Sequence, residues 1–342
     1  MKTKVAINGF GRIGRSAFKI AFDRDDLEIA AINDLTDNAT LAYLLKYDSN
    51  YGNYKYDVTS DEEGITVNGQ KIKILSERDP AALPWGEMGV DVVIESTGVF
   101  TKPEDAAAHT DKAGAKKVII SAPAKGEGAT TIVLGVNDDK LKDSGSVLSN
   151  ASCTTNCITP VASVIVNKFG VEKAFMTTIH SYTADQNLHD SPHKDLRRGR
   201  AAAQNIVPTT SGATIAAAEA LPELKGIFDG LAIRVPTIVG SLSDFTFLTK
   251  QDVTVEQVND ALKEAATQPF FQGILACSSD PLVSTDIIGN SHSSIVDLSL
   301  TAVTGGNLVK VIAWYDNEWG YSNRLVEMVA DAGALVNTQQ VE

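Results

Sequence analysis

Cysteine is scarce in this 342-residue sequence, which contains only Cys153, Cys157 and Cys277. Three cysteines cannot form a disulfide framework, and their scarcity indicates a reducing compartment. The sequence also lacks any apolar run of the length that a membrane helix needs. The first four residues lead directly into an apolar stretch without a cleavage site, so we expect no signal peptide and a cytoplasmic protein.

Positive charge is scarcer than negative charge, with 30 Lys and Arg against 43 Asp and Glu and a net charge of −13. Such a surface repels nucleic-acid phosphates and anionic membranes, so neither is expected as a main partner. No His/Cys spacing resembles a zinc site, and we expect no metal. Repeats, low-complexity segments and flexible linkers are absent too. The length and the 43% hydrophobic content predict two domains, with a boundary near Asn150.

A glycine-rich motif follows the first predicted strand. It has the form G-x-G-x-x-G and lies between that strand and a predicted helix, with glycines at Gly9, Gly11 and Gly14. In such a motif the first glycine permits a tight turn, the second lets a pyrophosphate approach, and the third lets the helix pack on the strand. Asp34 follows a second strand at residues 28–33, about twenty positions after Gly14, where an acid binds a ribose hydroxyl. The motif therefore predicts a dinucleotide site.

Strand and helix patterns continue to alternate after this motif. Residues 40–46 have helical spacing, and residues 64–75 have a hairpin pattern around Asn68-Gly69. Short apolar runs typical of buried parallel strands occupy residues 91–95, 117–121 and 131–134. Thr97 and Ser121 lie at the ends of two of these strands, where dinucleotides bind in open sheets. The sequence pattern alone is equally compatible with Thr97 and Ser121 being ordinary loop residues that bind no ligand.

Cys153 lies where a predicted strand passes into a predicted helix that ends near Phe169, before Gly170. Asn150, Ser152 and Thr154 are small polar residues of the kind that cap a helix start. Unpaired backbone N–H groups and the helix dipole favour a thiolate there, so we expect a lowered pKa for Cys153. The alternative is a buried structural cysteine, the commoner fate of a free thiol.

The chain after residue 170 has a different pattern. Residues 174–179 predict a strand that ends at His180, and a polar loop follows over residues 183–208. Its basic cluster, in an otherwise acidic protein, fits an anion site or a subunit contact as well as a solvated surface. Two-residue alternation predicts long strands of a largely antiparallel sheet at residues 231–236, 241–249 and 308–315. Helical patterns occupy residues 212–221, 253–267 and 321–334.

Oxidation of an aldehyde is a reaction that uses both a hydride-accepting cofactor and a nucleophilic cysteine. An aldehyde must become tetrahedral before it releases a hydride, and a thiolate achieves this by forming a thiohemiacetal that is oxidised to a thioester. The step needs a nucleophile, a base and donors for the developing oxyanion. Cys153 suits the first role, and His180, between an apolar strand and a polar loop, suits the second. No role is assigned to His109, His189, His193 and His292.

Six segments of the sequence together resemble the glyceraldehyde-3-phosphate dehydrogenase family. They are residues 8–15, 149–157, 180–183, 195–198, 234–237 and 314–320. The resemblance covers essentially the whole chain, and the segment 149–157 is highly specific to the family. It implies an α/β fold with a Rossmann-type NAD-binding domain at residues 1–150 and an α+β catalytic domain with a mixed, largely antiparallel sheet at residues 151–317. A C-terminal helix at residues 318–342 is expected to pack back onto the first domain.

The resemblance also implies roles for individual residues. Cys153 is implied as the nucleophile and His180 as its base, with NAD as cofactor and inorganic phosphate cleaving the thioester. The implied ligands of the substrate phosphate are Thr183 and Arg234, and those of the attacking phosphate are Ser152, Thr154, Ser211 and Gly212, with Arg198 close to both. The implied NAD contacts are Gly9, Gly11, Arg12, Ile13, Gly14, Asp34, Arg78, Thr97, Ser121 and Asn317.

Cofactor choice and assembly are expected to follow the family. Asp34 places a carboxylate where the 2′-phosphate of NADP would lie, and Pro192 stands where NADP-using relatives tend to carry serine, so NAD is expected. Ser211 replaces the usual threonine, and the lysine that many relatives have after Gly212 is missing. The family is typically a homotetramer whose long loop meets a neighbouring subunit, and we expect the same here.

Three alternatives remain open from the sequence. Erythrose-4-phosphate dehydrogenase is a near relative with the same cysteine and histidine, and it tends to release its thioester by water. A non-catalytic protein that binds NAD or RNA could keep the fold. A 2-hydroxy-acid dehydrogenase would share the glycine motif but needs no nucleophilic cysteine.

Overall fold

The computed structural model describes residues 2–339, and the chain separates into two compact units. Unit 1 comprises the chain up to Ile132, Asp138–Ala151 and the segment from Ser322 onward; unit 2 comprises Val133–Asn137 and Ser152–Tyr321. Residues 340–342 of the predicted C-terminal helix lie outside the described residues. Over residues 2–339, no helix combines the length and the apolar character needed to cross a membrane.

Unit 1 alternates strands and helices along the chain. Its elements are β1 (Thr3–Asn8), α1 (Arg12–Phe22), β2 (Leu27–Asn33), α2 (Asn38–Lys46), β3 (Tyr47–Asp48), β4 (Gly52–Asn53), β5 (Val58–Asp61), β6 (Gly64–Val67), β7 (Gln70–Leu75), α3 (Trp85–Met88), β8 (Val92–Glu95), α4 (Pro103–Ala106), α5 (Ala108–Asp111), β9 (Lys117–Ile120), β10 (Thr130–Thr131) and β11 (Val147–Ser149). Short 3-10 helices occupy Pro80–Ala82 and Asp138–Leu141.

Nine of these strands form one sheet in the order β10-β11-β9-β8-β1-β2-β7-β6-β5. The strands from β10 to β7 run parallel, and β7, β6 and β5 pair antiparallel. The apolar side chains of β1 and β8 are buried, as expected for parallel strands covered on both faces. Register places Asn8 beside both Asn33 and Glu95, so three polar residues meet at the carboxyl ends of β1, β2 and β8.

The turn after β1 depends on glycine. Gly9 has φ of +93°, and a Cβ atom there would lie 2.6 Å from the backbone nitrogen of Thr97. A Cβ atom on Gly14 would lie 2.1 Å from the carbonyl oxygen of Gly9. Around Gly11, by contrast, no atom lies within 4 Å of the Cβ position. The turn is therefore packed against the end of β8 but open at Gly11, where a ligand can approach the backbone.

Unit 2 begins with a long helix and then consists mainly of strands. Its elements are α6 (Cys153–Phe169), β12 (Val171–Ser181), β13 (Val207–Thr210), α7 (Ala213–Ala220), β14 (Phe228–Val235), β15 (Ser241–Thr249), α8 (Val255–Ala266), β16 (Leu275–Ser278), β17 (Ser294–Asp297), β18 (Ala302–Thr304) and β19 (Leu308–Tyr315). Short 3-10 helices occupy Pro222–Leu224, Pro269–Phe271, Ser284–Ile287 and Leu298–Leu300. The last helix, α9 (Trp319–Gln339), starts in unit 2 and continues in unit 1 from Ser322.

The sheet of unit 2 has the order β13-β14-β12-β15-β19-β17-β16, and β18 pairs with β19. β12 pairs parallel with β14 and antiparallel with β15, and β16 and β17 are also parallel. The remaining pairs are antiparallel. Burial alternates residue by residue along β15, which is the pattern of a strand with one face on the core. The fold class predicted from the sequence is therefore confirmed.

Local predictions differ from the structure in a few places. The hairpin at residues 64–75 is confirmed, since Asn68 and Gly69 both have positive φ, as a type I′ turn requires. The strand predicted at residues 131–134 is wrong, because only Thr130–Thr131 pairs in the sheet. Residues 132–134 lie outside any strand, but their apolar side chains are buried in the core. Burial, and not strand formation, therefore explains this apolar run. The short elements β3, β4 and β5 were not predicted.

Candidate active site

Cys153 is the first residue of α6 and follows the residue that caps this helix. Ser152 has an extended backbone, and its Oγ accepts the N–H of Thr155 at 2.9 Å. This cap satisfies one of the backbone donors that a helix start leaves free. Cys153 is half-buried, and the predicted helix from this residue to Phe169 is confirmed.

His180 faces Cys153 from the end of β12. Its Nε2 lies 3.4 Å from the Sγ of Cys153. The parallel pairing of β12 with β14 places Arg234 directly beside His180, and Arg234 Nη1 lies 2.7 Å from His180 Nδ1. A thiol, an imidazole and a guanidinium are thus joined in one hydrogen-bonded group within unit 2.

The Nδ1 atom of His180 has two competing partners. Arg234 can only donate a hydrogen bond, whereas the carbonyl oxygen of Ser181, 2.7 Å from Nδ1, can only accept one. When Nδ1 carries the proton it donates to Ser181, and Nε2 keeps a lone pair directed at Cys153. When Nδ1 accepts from Arg234, Nε2 carries the proton instead. Arg234 Nη1 also lies 3.1 Å from the Ser181 oxygen, so it competes with His180 Nδ1 for that acceptor, and a move of Arg234 away from both would favour the tautomer with the proton on Nδ1.

Burial dominates the acid–base properties of this pair. Burial raises the pKa of the Cys153 thiol, while the charge of Arg234 and hydrogen bonds from Thr154 act against the rise. Burial and the charge of Arg234 lower the pKa of His180 to about 3. The sequence-based prediction of a lowered pKa for Cys153 is therefore wrong, because the cost of desolvating the thiolate outweighs the stabilisation that the helix N-terminus provides. At neutral pH the pair consists of a thiol and a neutral imidazole.

Tyr315 lies behind this pair and connects two threonines. Its hydroxyl is 2.9 Å from Thr154 Oγ1 and 2.8 Å from Thr178 Oγ1. Its ring meets the ring of His180 edge-on, with centroids 6.0 Å apart. The hydroxyl of Thr154, implied by the resemblance as a phosphate ligand, is thus engaged with Tyr315 in the interior. The Tyr315 bridge holds the start of α6 against β12.

The N-terminus of α7 adjoins that of α6. Gly212 is the N-cap residue of α7, and Ser211 Oγ accepts the N–H of Ala213 at 3.2 Å. Thr155 Oγ1 donates to the carbonyl oxygen of Ala213 at 3.3 Å, which ties the two helix starts together. The structure therefore brings Ser152 close to Ser211 and Gly212. Two adjacent helix N-termini form an environment that favours an anion.

Arg198 and Thr183 lie in the loop between β12 and β13. Arg198 forms ion pairs with Asp185 and Asp195, so its guanidinium is held by two carboxylates. Arg198 is nevertheless close enough to act on Arg234, whose pKa is lowered by burial and, to a smaller extent, by the charge of Arg198. The backbone carbonyl of Thr183 accepts the N–H of Gln186.

Unit 1 has a cavity of 340 Å³ at the carboxyl ends of β1, β2 and β8. The predicted residues that line it are Gly9, Gly11, Asp34, Arg78 and Thr97. Asp34 is fixed by the backbone, because its Oδ2 accepts the N–H of Phe10 at 2.7 Å and its Oδ1 accepts that of Thr36 at 2.9 Å. An open glycine turn and a fixed carboxylate at strand ends are the features that bind a dinucleotide. The residues present therefore fit NAD.

The other predicted cofactor residues do not line this cavity. Arg12 begins α1 and pairs with Asp48, with Nη2 3.2 Å from Oδ1, while Ile13 and Gly14 follow it in the helix. Ser121 follows β9. Asn317 belongs to unit 2, and its Oδ1 accepts the N–H of Gly240 at 3.1 Å and the hydroxyl of Ser241 at 2.9 Å. In the described part of the chain, no three His, Cys, Asp or Glu residues are grouped so that they could hold a metal ion.

Comparison with known proteins identifies the family. A family model described as "Glyceraldehyde 3-phosphate dehydrogenase, NAD binding domain" matches residues 3–103, and one described as "Glyceraldehyde 3-phosphate dehydrogenase, C-terminal domain" matches residues 152–317. The chain belongs to the glyceraldehyde-3-phosphate dehydrogenase family. The resemblance noted in the sequence is therefore confirmed.

Curated relatives of this family are similar over nearly their whole length. The glyceraldehyde-3-phosphate dehydrogenase of Streptomyces coelicolor is 54% identical over 335 residues, which cover 97% of this chain and 99% of the relative. That of Geobacillus stearothermophilus is 55% identical, with 96% of this chain and 98% of the relative covered. Glyceraldehyde-3-phosphate dehydrogenase 1 of Bacillus subtilis has the same identity and coverage.

Several residues of the site were not identified from the sequence of this family member. The carbonyl oxygen of Ser181 contacts His180 Nδ1. The Tyr315 hydroxyl contacts the hydroxyls of Thr154 and Thr178, which are neighbours of the Cys153–His180 pair. Thr178 could have been found from strand alternation. Residues two apart on a strand point to the same face, so Thr178 lies on the same face of β12 as His180. Tyr315 is brought there only by the pairing of β19 with β15.

Cys153 is expected to be the first cysteine that iodoacetamide alkylates. Cys153 is half-buried and has His180 Nε2 3.4 Å from its Sγ as a base, whereas Cys157 is fully buried and burial raises its pKa to about 12. Burial also raises the pKa of Cys277, to about 11, and among the described residues no hydrogen-bonded base lies beside it. The Arg234→Met variant removes the positive charge that opposes the rise in the pKa of Cys153, so its alkylation midpoint should move to higher pH. Alkylation rates as a function of pH, with the site assigned by mass spectrometry, measure both effects.

The matched control for this experiment is Arg198→Met. It removes the same charge, but Arg198 is held by two carboxylates and lies in the loop, so the midpoint for Cys153 should stay within a few tenths of a pH unit. Equal shifts in the two variants, or no shift in Arg234→Met, would contradict a specific electrostatic role for Arg234.

Proposed function

We propose that this family member oxidises D-glyceraldehyde 3-phosphate to 1,3-bisphosphoglycerate with NAD and inorganic phosphate, a reaction of glycolysis and gluconeogenesis. The observation that carries the proposal is the 3.4 Å contact between Cys153 Sγ and His180 Nε2. A thiol beside a base is what aldehyde oxidation through a thioester requires, whereas a 2-hydroxy-acid dehydrogenase needs no cysteine. The three glyceraldehyde-3-phosphate dehydrogenases compared above are named for the same substrate, which supports the proposal.

His180 converts the Cys153 thiol into a nucleophile. An anionic substrate group draws Arg234 away from His180 Nδ1, so that Nδ1–H donates to Ser181 and Nε2 accepts the thiol proton. The thiolate then attacks the aldehyde carbon and forms a thiohemiacetal on Sγ, whose oxygen receives a hydrogen bond from the protonated imidazole. Bound NAD supplies the hydride acceptor for oxidation of this adduct to a thioester.

Two anion sites complete the mechanism. Arg234 and Thr183 bind the phosphate of the substrate, and the position of Arg234 beside His180 makes the binding of this phosphate the trigger for base formation. Ser152, Ser211 and Gly212, at the adjoining starts of α6 and α7, bind the attacking phosphate, together with the backbone of Thr154. Arg198 lies close to both sites. Inorganic phosphate cleaves the thioester, releasing the acyl phosphate and the Cys153 thiolate.

NAD binding is assigned to residues 1–150 together with the C-terminal helix, and catalysis to residues 151–317. Two contacts within unit 1 support the first assignment: Asn337 Nδ2 lies 3.5 Å from Thr3 Oγ1, and Gly333 packs directly on the Thr3 side chain. Asp34 disfavours a 2′-phosphate by charge repulsion, which supports NAD over NADP. Asn317 is assigned to the nicotinamide amide, with Arg12, Ile13 and Ser121 as further contacts.

Erythrose-4-phosphate dehydrogenase is the weaker candidate. It shares the cysteine and histidine but tends to release its thioester by water. The adjoining helix starts at Ser152 and Gly212 favour an attacking phosphate over water, even without the lysine that many relatives have after Gly212. A non-catalytic binding protein would have no need for the Cys153–His180–Arg234 group.

A homotetramer in the cytoplasm is proposed as the working form. The loop between β12 and β13 exposes apolar side chains that a monomer would leave in water, namely Leu188, Leu196 and Ile206. Such a loop suits contact with a second copy of the chain. Sedimentation velocity of the purified protein should give the mass of four chains, and a stable monomer at micromolar concentration would contradict the assembly.

Continuous NADH formation from glyceraldehyde 3-phosphate is expected only when inorganic phosphate is present, because the thioester otherwise accumulates on Cys153. The Cys153→Ser variant should lose about a thousandfold or more in kcat/KM, because it lacks the nucleophile. Absorbance of NADH, measured with NAD and NADP and with and without phosphate, tests the proposal.

Cys157→Ser is the matched control for this assay. Cys157 lies one helical turn beyond Cys153 but is fully buried, and burial raises its pKa to about 12, so turnover should persist. Turnover that is indifferent to phosphate would point to the hydrolytic relative. No turnover with either cofactor would contradict the enzymatic function.

A further inference from the structure

A buried polar network spans the three strand ends that border the cavity of unit 1. Glu95, the last residue of β8, is 2% exposed, and its Oε2 accepts hydrogen bonds from Asn8 Nδ2 at 2.6 Å and His109 Nε2 at 3.1 Å. Asn8 Oδ1 in turn accepts from Asn33 Nδ2 at 2.7 Å. Trp85 Nε1 donates to His109 Nδ1 at 3.0 Å. The mechanism proposed above uses none of these side chains.

Trp85 fixes the direction of the hydrogen bonds that His109 makes in this network. The indole N–H can only donate, so His109 Nδ1 must accept and Nε2 must carry the ring proton. His109 Nε2 therefore donates to Glu95. Asn8 Nδ2 likewise donates to Glu95, and Asn33 Nδ2 donates to Asn8 Oδ1. Within the described residues the network is thus a set of donors converging on one carboxylate.

The other oxygen of Glu95 holds the turn that follows β8. Oε1 accepts the backbone N–H of Thr97 at 2.9 Å and also the Thr97 hydroxyl. This turn is locked to the glycine turn, because Ser96 Oγ donates to the carbonyl oxygen of Gly9 at 2.7 Å. Thr97 and Gly9 both line the 340 Å³ cavity. The orientation of the Glu95 carboxylate therefore determines where the backbone of this cavity wall lies.

The same network reaches the opposite wall through Asn33. Asn33 Nδ2 donates to the carbonyl oxygen of Glu77 at 2.8 Å, and Asn33 Oδ1 accepts the Glu77 N–H at 2.8 Å. Glu77 precedes Arg78, which lines the cavity together with Asp34. Both walls are thus tied to Glu95 by side-chain hydrogen bonds across β1. Burying a carboxylate is costly unless it is fully hydrogen-bonded, and here four donors satisfy it.

We propose that Glu95 is a positioning residue for the dinucleotide, held in orientation by His109 and Trp85, and that it sets the Thr97 turn and the Arg78 loop at the spacing that NAD requires. The proposal rests on the NAD binding proposed above. It assigns a role to His109, which in the sequence alone is a lone histidine without a recognisable motif. Glu95 acts through Thr97 and Asn33 and is not itself a catalytic residue.

The direct test is the Glu95→Gln variant, which keeps the shape of the side chain. A glutamine amide has one NH₂ group, which must face either the Thr97 donors or the donors of Asn8 and His109, so one side of the network breaks. The dissociation constants of NAD and of ADP-ribose, measured by calorimetry, should each rise about tenfold. The value of kcat at saturating NAD should change less than twofold, because the Cys153–His180 pair belongs to unit 2.

A second pair of variants tests the role of His109 independently. His109→Gln retains one acceptor for Trp85 and one donor for Glu95, so most of the NAD affinity should be rescued. His109→Leu retains neither and should weaken NAD binding about as much as Glu95→Gln. Equal NAD affinity in the Gln and Leu variants would overturn the proposal, and this comparison stands even if Glu95→Gln fails to fold.

Val118→Ala is the control for a purely structural effect. Val118 is buried in the same core as Trp85 but makes no side-chain hydrogen bond, so truncation lowers stability without touching the network. Its NAD affinity should equal that of the wild type. An equal loss of affinity in Val118→Ala, or NAD binding by Glu95→Gln within twofold of the wild type, would refute the positioning role. Failure of the wild type to bind NAD would instead refute the proposed function itself.

Discussion

The candidate active site depends on the contact between Cys153 Sγ and His180 Nε2. Two elements produce it: the capped start of α6 and the end of β12. β12 is paired on both sides, with β14 and β15, so its register fixes where His180 lies relative to Arg234 as well as to Cys153. A shift by one residue would turn His180 to the other face of the sheet and remove the base altogether.

Burial is the largest influence on the pKa values of the two residues in this contact. Burial raises the pKa of Cys153 and lowers that of His180, so the pair is uncharged near neutral pH. Arg234 Nη1 is in direct contact with His180 Nδ1. In the proposed mechanism an anionic substrate moves this guanidinium, which links substrate binding to activation of the nucleophile. In unit 1 the buried carboxylate of Glu95 likewise accepts hydrogen bonds from groups that border the cavity.

Local sequence signals predicted much of this fold and site. The cap at Ser152 and the glycine after Phe169 define α6, and the motif from Gly9 to Gly14 defines the turn after β1, because capping and turn chemistry act over a few residues. The pKa of Cys153 was predicted in the wrong direction, since burial depends on tertiary packing. Tyr315, Glu95 and His109 were not predicted either, because strand register and side-chain contacts between distant residues bring them into place.

The most direct test of the account is to trap the acyl-enzyme. Protein incubated with glyceraldehyde 3-phosphate and NAD in the absence of phosphate should carry one 3-phosphoglyceroyl group, and peptide mass spectrometry should place it on Cys153. Addition of phosphate should remove the group and release the acyl phosphate. An adduct on Cys157 or Cys277, or NADH formation without any protein-bound acyl group, would contradict the central role of the Cys153–His180 contact.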